Sequence, residues 1–262
     1  QPTAMIYGHY DVQPPDPLDL WTSPPFEPQL RDGKLYARGA SDDKGNVMVA
    51  LQGVEALVRT QGRPPINLKF FFEGEEEIGS PSLPAFMPNH REKLACDFII
   101  SADGGQPSLD QPGVTLTAKG IAACQVNVRT AATDLHSGMF GAAVPNAAQV
   151  TAHLAASFHT PDGRVAVEGF YDRVRELSEE ERAELAAAQA SAGPYWEKVG
   201  APALWGEPGY SPGERVAARP TLDINGIWSG FQGAGVKTVT PAEGHFKITC
   251  RLVADQNPEE IL

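Results

Sequence analysis

The sequence predicts an α/β fold built on a mostly parallel sheet, followed by a second domain of α+β type. Three observations carry this reading. Short apolar runs at residues 5–7, 66–72 and 97–101 read as strands and alternate with longer helical patterns near 47–61 and 83–94. His9, Asp42, Glu76, Glu77 and Asp103 all fall just past a strand end or at a helix start, where an open α/β sheet places its ligand sites. After Gly105 the texture changes. Residues 114–117, 122–128, 221–228 and 245–252 alternate as antiparallel strands do. The expected division is therefore 1–112 for the first domain and 113–262 for the second.

Composition narrows the function classes. The chain has 262 residues and a formal net charge of −12. With no basic patch, nucleic acid is not expected as a partner. No apolar run approaches the ~20 residues needed to cross a membrane, so no membrane association is expected either. Cys96, Cys124 and Cys250 lie far apart with no metal-like spacing, and their odd number fits a disulfide framework poorly. They read as reduced, buried residues in a cytoplasmic protein. The first residues already run into a strand, and Asn257-Pro258-Glu259-Glu260 looks like a helix start, so both ends look cut and a fragment is expected.

The first strand leads into Gly8-His9-Tyr10-Asp11, where His9 and Asp11 share a face of an extended backbone. A carboxylate that orients a His is a common metal-ligand arrangement, against the plainer reading of a surface His beside a turn. Residues 17–28 form a Pro-rich loop, and Lys34-Leu35-Tyr36 a short strand after the Arg31-Asp32-Gly33 turn. Asp42 and Asp43 stand where the next helix begins. One of them suffices for an N-cap, which leaves the other unexplained.

The strand at 66–72 runs into Glu73-Gly74-Glu75-Glu76-Glu77. Carboxylates so close repel each other, and burial raises that cost, so a cation is expected beside some of them. The rival reading is a solvated acidic loop. Glu73 and Glu75 need no catalytic task and read as solvated or supporting groups. The strand at 97–101 ends just before Asp103.

In the second domain, Asp134-Leu135-His136-Ser137-Gly138-Met139-Phe140-Gly141 reads as a Gly-rich loop and Asn146 as the cap of a helix through Ala156. An acidic helix is expected at 178–190, and a loop rich in Gly and Pro at 193–212.

The ordered set His9-x-Asp11, Asp42-x-Lys44-Gly45, Glu76-Glu77 and Asp103 resembles the M20 family of dinuclear zinc peptidases. Gly8-His9-Tyr10-Asp11-Val12-Gln13-Pro14, Arg38-Gly39-Ala40-Ser41-Asp42-Asp43-Lys44-Gly45 and Asp134-Leu135-His136-Ser137-Gly138 are most similar to the carnosinase-type cytosolic dipeptidases. The resemblance covers nearly the whole chain. It implies an α/β zinc-peptidase domain, incomplete here, with an inserted ferredoxin-like lid that pairs two copies into a homodimer.

It further implies that His9 and Asp103 bind one zinc, that Glu77 binds the other and that Asp42 bridges both. Mn2+ and Co2+ stand as alternative metals. Glu76 then corresponds to the general base and Asp11 to the residue that orients His9. His136 corresponds to a group that stabilises the oxyanion across the dimer, and Thr238 and Arg251 to groups that hold the carboxylate end of a small peptide substrate. The resemblance also implies a cis Asp42–Asp43 peptide. A second-zinc His beyond this sequence is implied as well, and His245, inside a strand pattern, is not assigned to it. His136 as a loop group held by the backbone, and Arg251 as an exposed strand residue, remain the alternatives. His90, His153 and His159 match nothing and read as structural or surface groups.

The expected function is metal-dependent hydrolysis of dipeptides or short peptides. An N-acyl amino acid amidohydrolase using the same site is the first alternative. A catalytically inactive, dimeric binding protein is the second, and Glu76, which has little structural purpose, argues against it.

Overall fold

The structure is a computed structural model that describes residues 1–105, 113, 115, 118–192 and 199–262. The chain divides into two compact units, Gln1–Thr115 and Leu116–Leu262.

The first unit is organised on strand β1 (Thr3–His9), whose Ala4, Met5 and Ile6 are buried. A hairpin of β2 (Gln29–Arg31) and β3 (Lys34–Tyr36) follows, then helix α1 (Lys44–Gln61) and β4 (Asn67–Glu73). Helices α2 (Leu83–Asn89) and α3 (Arg91–Leu94) lead to β5 (Phe98–Ser101). The sheet order is β4-β1-β5, and both pairings are parallel, as the alternation of strands and helices predicts. The single helix expected at 83–94 is broken at His90 (φ −126°, ψ 20°). Pro88, in the last turn of α2, has no N–H to continue the ladder.

The Asp42–Asp43 and Asp16–Pro17 peptides are cis. Neither Asp42 nor Asp43 caps α1 through its side chain, contrary to the capping expectation. The Asp43 carboxylate is used elsewhere.

The second unit holds a three-stranded antiparallel sheet in the order β6-β10-β8. Its elements are β6 (Gly120–Arg129), β7 (Leu135–His136), α4 (Ser137–Phe140), α5 (Ala147–Ser157) and α6 (Glu179–Ala192). Then come α7 (Pro212–Ala218), β8 (Thr221–Ser229), β9 (Val239–Thr240), β10 (Glu243–Leu252) and α8 (Pro258–Ile261). The strand expected at 114–117 lies largely outside the described residues, as does the first part of the loop expected at 193–212.

Strand β10 is central, and one of its faces is buried at Phe246, Ile248, Cys250 and Leu252. Ala122, Leu222, Val165 and Phe170 complete that core, and the Phe158 ring packs 5.8 Å from Phe246. All three cysteines are free, but of the three expected to be buried only Cys250 is; Cys96 is half-buried and Cys124 exposed. Burial pushes the Cys250 thiol up to about 11. Asn146 caps α5 as expected, its Oδ1 accepting from the amides of Ala148 and Gln149. Asn257 does the same for α8 by accepting from Glu259.

The polar stretch between α5 and β8 is fixed by a buried ion pair. Arg219 Nε and Nη2 each donate to Glu207 at 2.8 Å, and Arg164 Nη1 adds a third bond at 3.1 Å. Among the described residues, no helix is long and apolar enough to cross a membrane.

Phe246 is fully buried, so Phe246→Ala should remove both its transfer free energy and its packing. The expected loss is about 3–5 kcal/mol of stability for the second unit, measured by denaturant unfolding followed through Trp228 fluorescence. A loss under ~1 kcal/mol would show that this core is not what holds the sheet.

Candidate metal centre

The parallel register decides which groups meet. His9 is paired with Glu73 at the carboxyl end of β1, and Tyr7 with Ser101 of β5. Residues 10–11, 74–77 and 102–103 therefore leave the sheet at one edge.

His9 is fully buried there. Its backbone N–H donates to Asp43 Oδ2 at 3.0 Å, and its Nδ1 lies 3.3 Å from Asp11 Oδ1. Nε2 faces three further carboxylates: Asp42 Oδ1 at 3.0 Å, Glu76 Oε2 at 3.8 Å and Asp103 Oδ2 at 3.8 Å. Ligand atoms of His9, Asp42 and Asp103 all lie within 4.8 Å of one another. Imidazole nitrogen and carboxylate oxygen are suitable donors for a zinc-type cation, and this trio fits one. The cationic side chain nearest in sequence, Lys44, is turned to the carbonyl of Tyr10 at 2.6 Å.

Asp11 also reaches the acidic turn after β4. Its Oδ1 accepts from the Glu76 amide at 3.3 Å and its Oδ2 from the Glu77 amide at 2.9 Å, anchoring the 3₁₀ turn Glu76–Ile78. Burial pushes the Asp11 carboxyl up, but these amides and His9 outweigh it and hold it below the ordinary range. The turn brings Glu76 towards His9. Glu77 is held away by Gln13, whose Nε2 donates to its carboxylate at 2.8 Å and to its carbonyl at 3.1 Å. Of the four residues expected to bind metal, His9, Asp42 and Asp103 are thus brought together, and Glu77 stands on Gln13.

The electrostatics follow from crowding. Burial opposes charge on His9, but Glu76, Asp103, Asp43 and Asp42 overcome it and raise its pKa. Burial also raises Glu76; His9 opposes that shift, and Asp103, Glu77 and Asp11 reinforce it. Asp103 is raised by burial and then by Asp43 and Asp42.

Of the two readings of Glu73, the supporting one holds and the solvated one does not: it is 9% exposed and accepts from the Tyr7 hydroxyl at 2.5 Å. Tyr7 and Asn46 escaped the sequence reading. Tyr7's own burial and then the Glu73 bond push its phenol far up. Asn46 donates to the Gly104 carbonyl at 3.1 Å, tying the Asp103 loop to α1. The signal available for Glu73 was its place at the inner end of an apolar strand.

In the second unit, β7 pairs with β9 in place of the expected loop, setting His136 opposite Val239. His136 Nδ1 accepts from the Gly138 amide at 3.0 Å, and the Thr238 carbonyl accepts from the Ser137 amide at 3.1 Å. His136 and Thr238 are therefore neighbours, and both are exposed. Arg251 is exposed on β10 opposite Ile121 and Thr221, and no hydrogen bond or ion pair joins it to either of them among the described residues.

A raised His9 and raised Glu76 and Asp103 keep protons on the metal-free site to a higher pH than usual. Metal needs the imidazole neutral and the carboxylates ionised, so binding must expel those protons. Zinc affinity should fall as pH drops, and zinc binding should release protons. Calorimetric titrations in buffers of different protonation enthalpy measure this, and zinc binding without proton release would contradict it.

Comparison with known proteins agrees with this geometry. The family model described as "Peptidase family M20/M25/M40" matches residues 5–231. Beta-Ala-His dipeptidase of Homo sapiens is 32% identical over 257 residues, covering 97% of this chain and 51% of the relative. Cys-Gly metallodipeptidase dug1 of Schizosaccharomyces pombe is 30% identical over 263 residues, covering 99% and 55%. Among solved structures, an M20 family metallo-carboxypeptidase, Sso-CP2 of Sulfolobus solfataricus, superposes with a TM-score of 0.85 at 33% identity. That match covers all of this chain and 59% of the other. Human carnosine dipeptidase 1 gives a TM-score of 0.77 at 31% identity, covering 99% and 56%. The chain spans about half the length of the curated relatives it matches. On the match and on the cluster at the end of β1, the chain belongs to peptidase family M20/M25/M40.

Proposed function

We propose that the protein hydrolyses dipeptides or short peptides at a two-metal site to which this chain contributes His9, Asp42, Glu77 and Asp103. The observation that carries the proposal is the buried His9 Nε2 facing Asp42 and Asp103, with Glu76 beside it and not tied to another side chain. Two divalent cations, zinc in this reading, would supply an activated water and a polarised amide carbonyl.

The chain's own residues divide the remaining work. His9, Asp42 and Asp103 would hold one cation, and Glu77 together with Asp42 would help to hold the other. Asp11 fixes the His9 ring and the Glu76–Ile78 turn together. Glu76, whose carboxyl burial holds above the ordinary range, would take a proton from the attacking water and pass it to the leaving amine. The names of the similar proteins, Beta-Ala-His and Cys-Gly dipeptidases, support dipeptides as substrates. The same site would serve an N-acyl amino acid amidohydrolase, and a panel of dipeptides against acylated amino acids separates the two.

In this reading the second unit is a ferredoxin-like lid that also forms a homodimer. His136 and Thr238, neighbours through β7 and β9, and Arg251 on β10 receive the substrate. Arg251 suits a terminal carboxylate through two parallel bonds. Three free cysteines are in keeping with a cytoplasmic setting.

In the full-length protein, Glu76→Ala should keep metal and fold but lose turnover by roughly 10²–10⁴-fold. Glu77→Ala should instead lower the metal content, measured by elemental analysis after dialysis. Equal metal loss in both variants would reverse the two roles, and unchanged turnover in Glu76→Ala would end the proposal.

His136→Ala should retain metal and lose roughly 10²–10³-fold in turnover. If His136 serves the neighbouring subunit, mixing inactive Glu76→Ala and His136→Ala proteins and allowing exchange should restore part of the activity. A mixture as inactive as its parents after confirmed exchange would rule out action between subunits.

A further inference from the structure

Asp43 is the residue of this site that neither the metal cluster nor the helix explains. Its side chain is fully buried, and it forms no cap on α1. Oδ2 accepts the His9 backbone N–H at 3.0 Å, while Oδ1 is buried and has no hydrogen-bond partner among the described residues. No Lys, Arg or His lies within ion-pair distance of it among those residues either.

The neighbouring backbone makes room for this carboxylate. A Cβ on Gly8 would lie 2.7 Å from Asp43 Oδ2 and 2.6 Å from Val47 Cγ2, closer than real contacts allow. If the His9 amide needed only an acceptor, an uncharged amide side chain would serve without the cost of burying a charge. The acidic groups around it, Asp42 and Asp103, add repulsion and not compensation.

We propose that Asp43 is a positioning residue for the metal ligand His9, and that its buried negative charge strengthens cation binding by Asp42, His9 and Asp103. This rests on the reading of those three residues as ligands. Asp43 acts in two ways. Through Oδ2 it holds the main chain of His9, and it adds a charge that only a bound cation neutralises.

The two actions separate in two variants of the full-length protein. Asp43→Asn keeps an acceptor for the His9 amide and removes the charge, whereas Asp43→Ala removes both. Zinc affinity is read by competition with a chromophoric chelator, and metal-free stability by calorimetry.

Asp43→Asn should weaken zinc binding by about 10–100-fold, the usual effect of losing a group that supports a ligand, while its metal-free Tm stays at or above wild type. Asp43→Ala should weaken zinc binding at least as much and also lower the metal-free Tm, because the His9 amide is left unpaired. A role in folding alone would lower Tm in both variants and move zinc affinity only in step with it. That result overturns the inference, as does Asp43→Asn binding zinc like wild type. A wild-type protein that takes no zinc overturns the metal reading itself, and this inference with it.

Discussion

The arrangement depends on the parallel register that ends three strands together. With His9 opposite Glu73 and Tyr7 opposite Ser101, the segments after β1, β4 and β5 have no choice but to leave on one edge. Two further backbone bonds extend the ladders past the strands, Tyr10 N–H to the Glu73 carbonyl and Ala102 N–H to the Tyr7 carbonyl. They hold the backbone at residues 10 and 102 close to the sheet. A parallel sheet thus builds an acidic, partly desolvated crevice from chain direction alone.

That crevice sets terms for its neighbours. Backbone must approach backbone closely, and glycine appears where a Cβ would collide. Gly8 gives way to Asp43 and Val47, and Gly74 lies under the Tyr10 ring, where a Cβ would sit 2.8 Å from ring atoms. Amides are then spent on carboxylates. Asp11 takes two and Asp43 one, so that charge in the crevice is fixed in direction before any ligand arrives.

The parts legible in the sequence are those governed by local pattern. The alternation of short apolar runs with long amphipathic ones gave the parallel sheet, and Asn146 and Asn257 gave helix starts to the residue. What the sequence left open depends on orientation. Glu76 and Glu77 are adjacent on a 3₁₀ turn, where successive side chains point ~120° apart, so only one can face His9. Which one does is set by Asp11 and Gln13, more than sixty residues away in sequence. Asp43 is similar: a cap and a clamp on His9 look identical until β1 is placed beside α1. The break at His90 and the burial of Glu73 needed only closer weight on Pro88 and on the apolar strand before Glu73.

The two units treat clustered charge in opposite ways, and the contrast locates the chemistry. In the second unit Arg219 and Glu207 are buried with two bonds between them, and Arg164 adds a third. Removing one partner there would strand a charge, but as built each of the two buried charges is paired with the other, and the pair has no need of a ligand. In the first unit a buried His is surrounded by Asp11, Asp42, Asp43, Glu76 and Asp103, and nothing in that set balances their charge beyond the imidazole itself. A chain able to build the first arrangement has no structural reason to tolerate the second. Such an imbalance marks a place where folding has been subordinated to binding, and the charge it lacks is positive. The same physics that raises His9, Glu76 and Asp103 therefore accounts for both the cost of the crevice and its affinity for a cation.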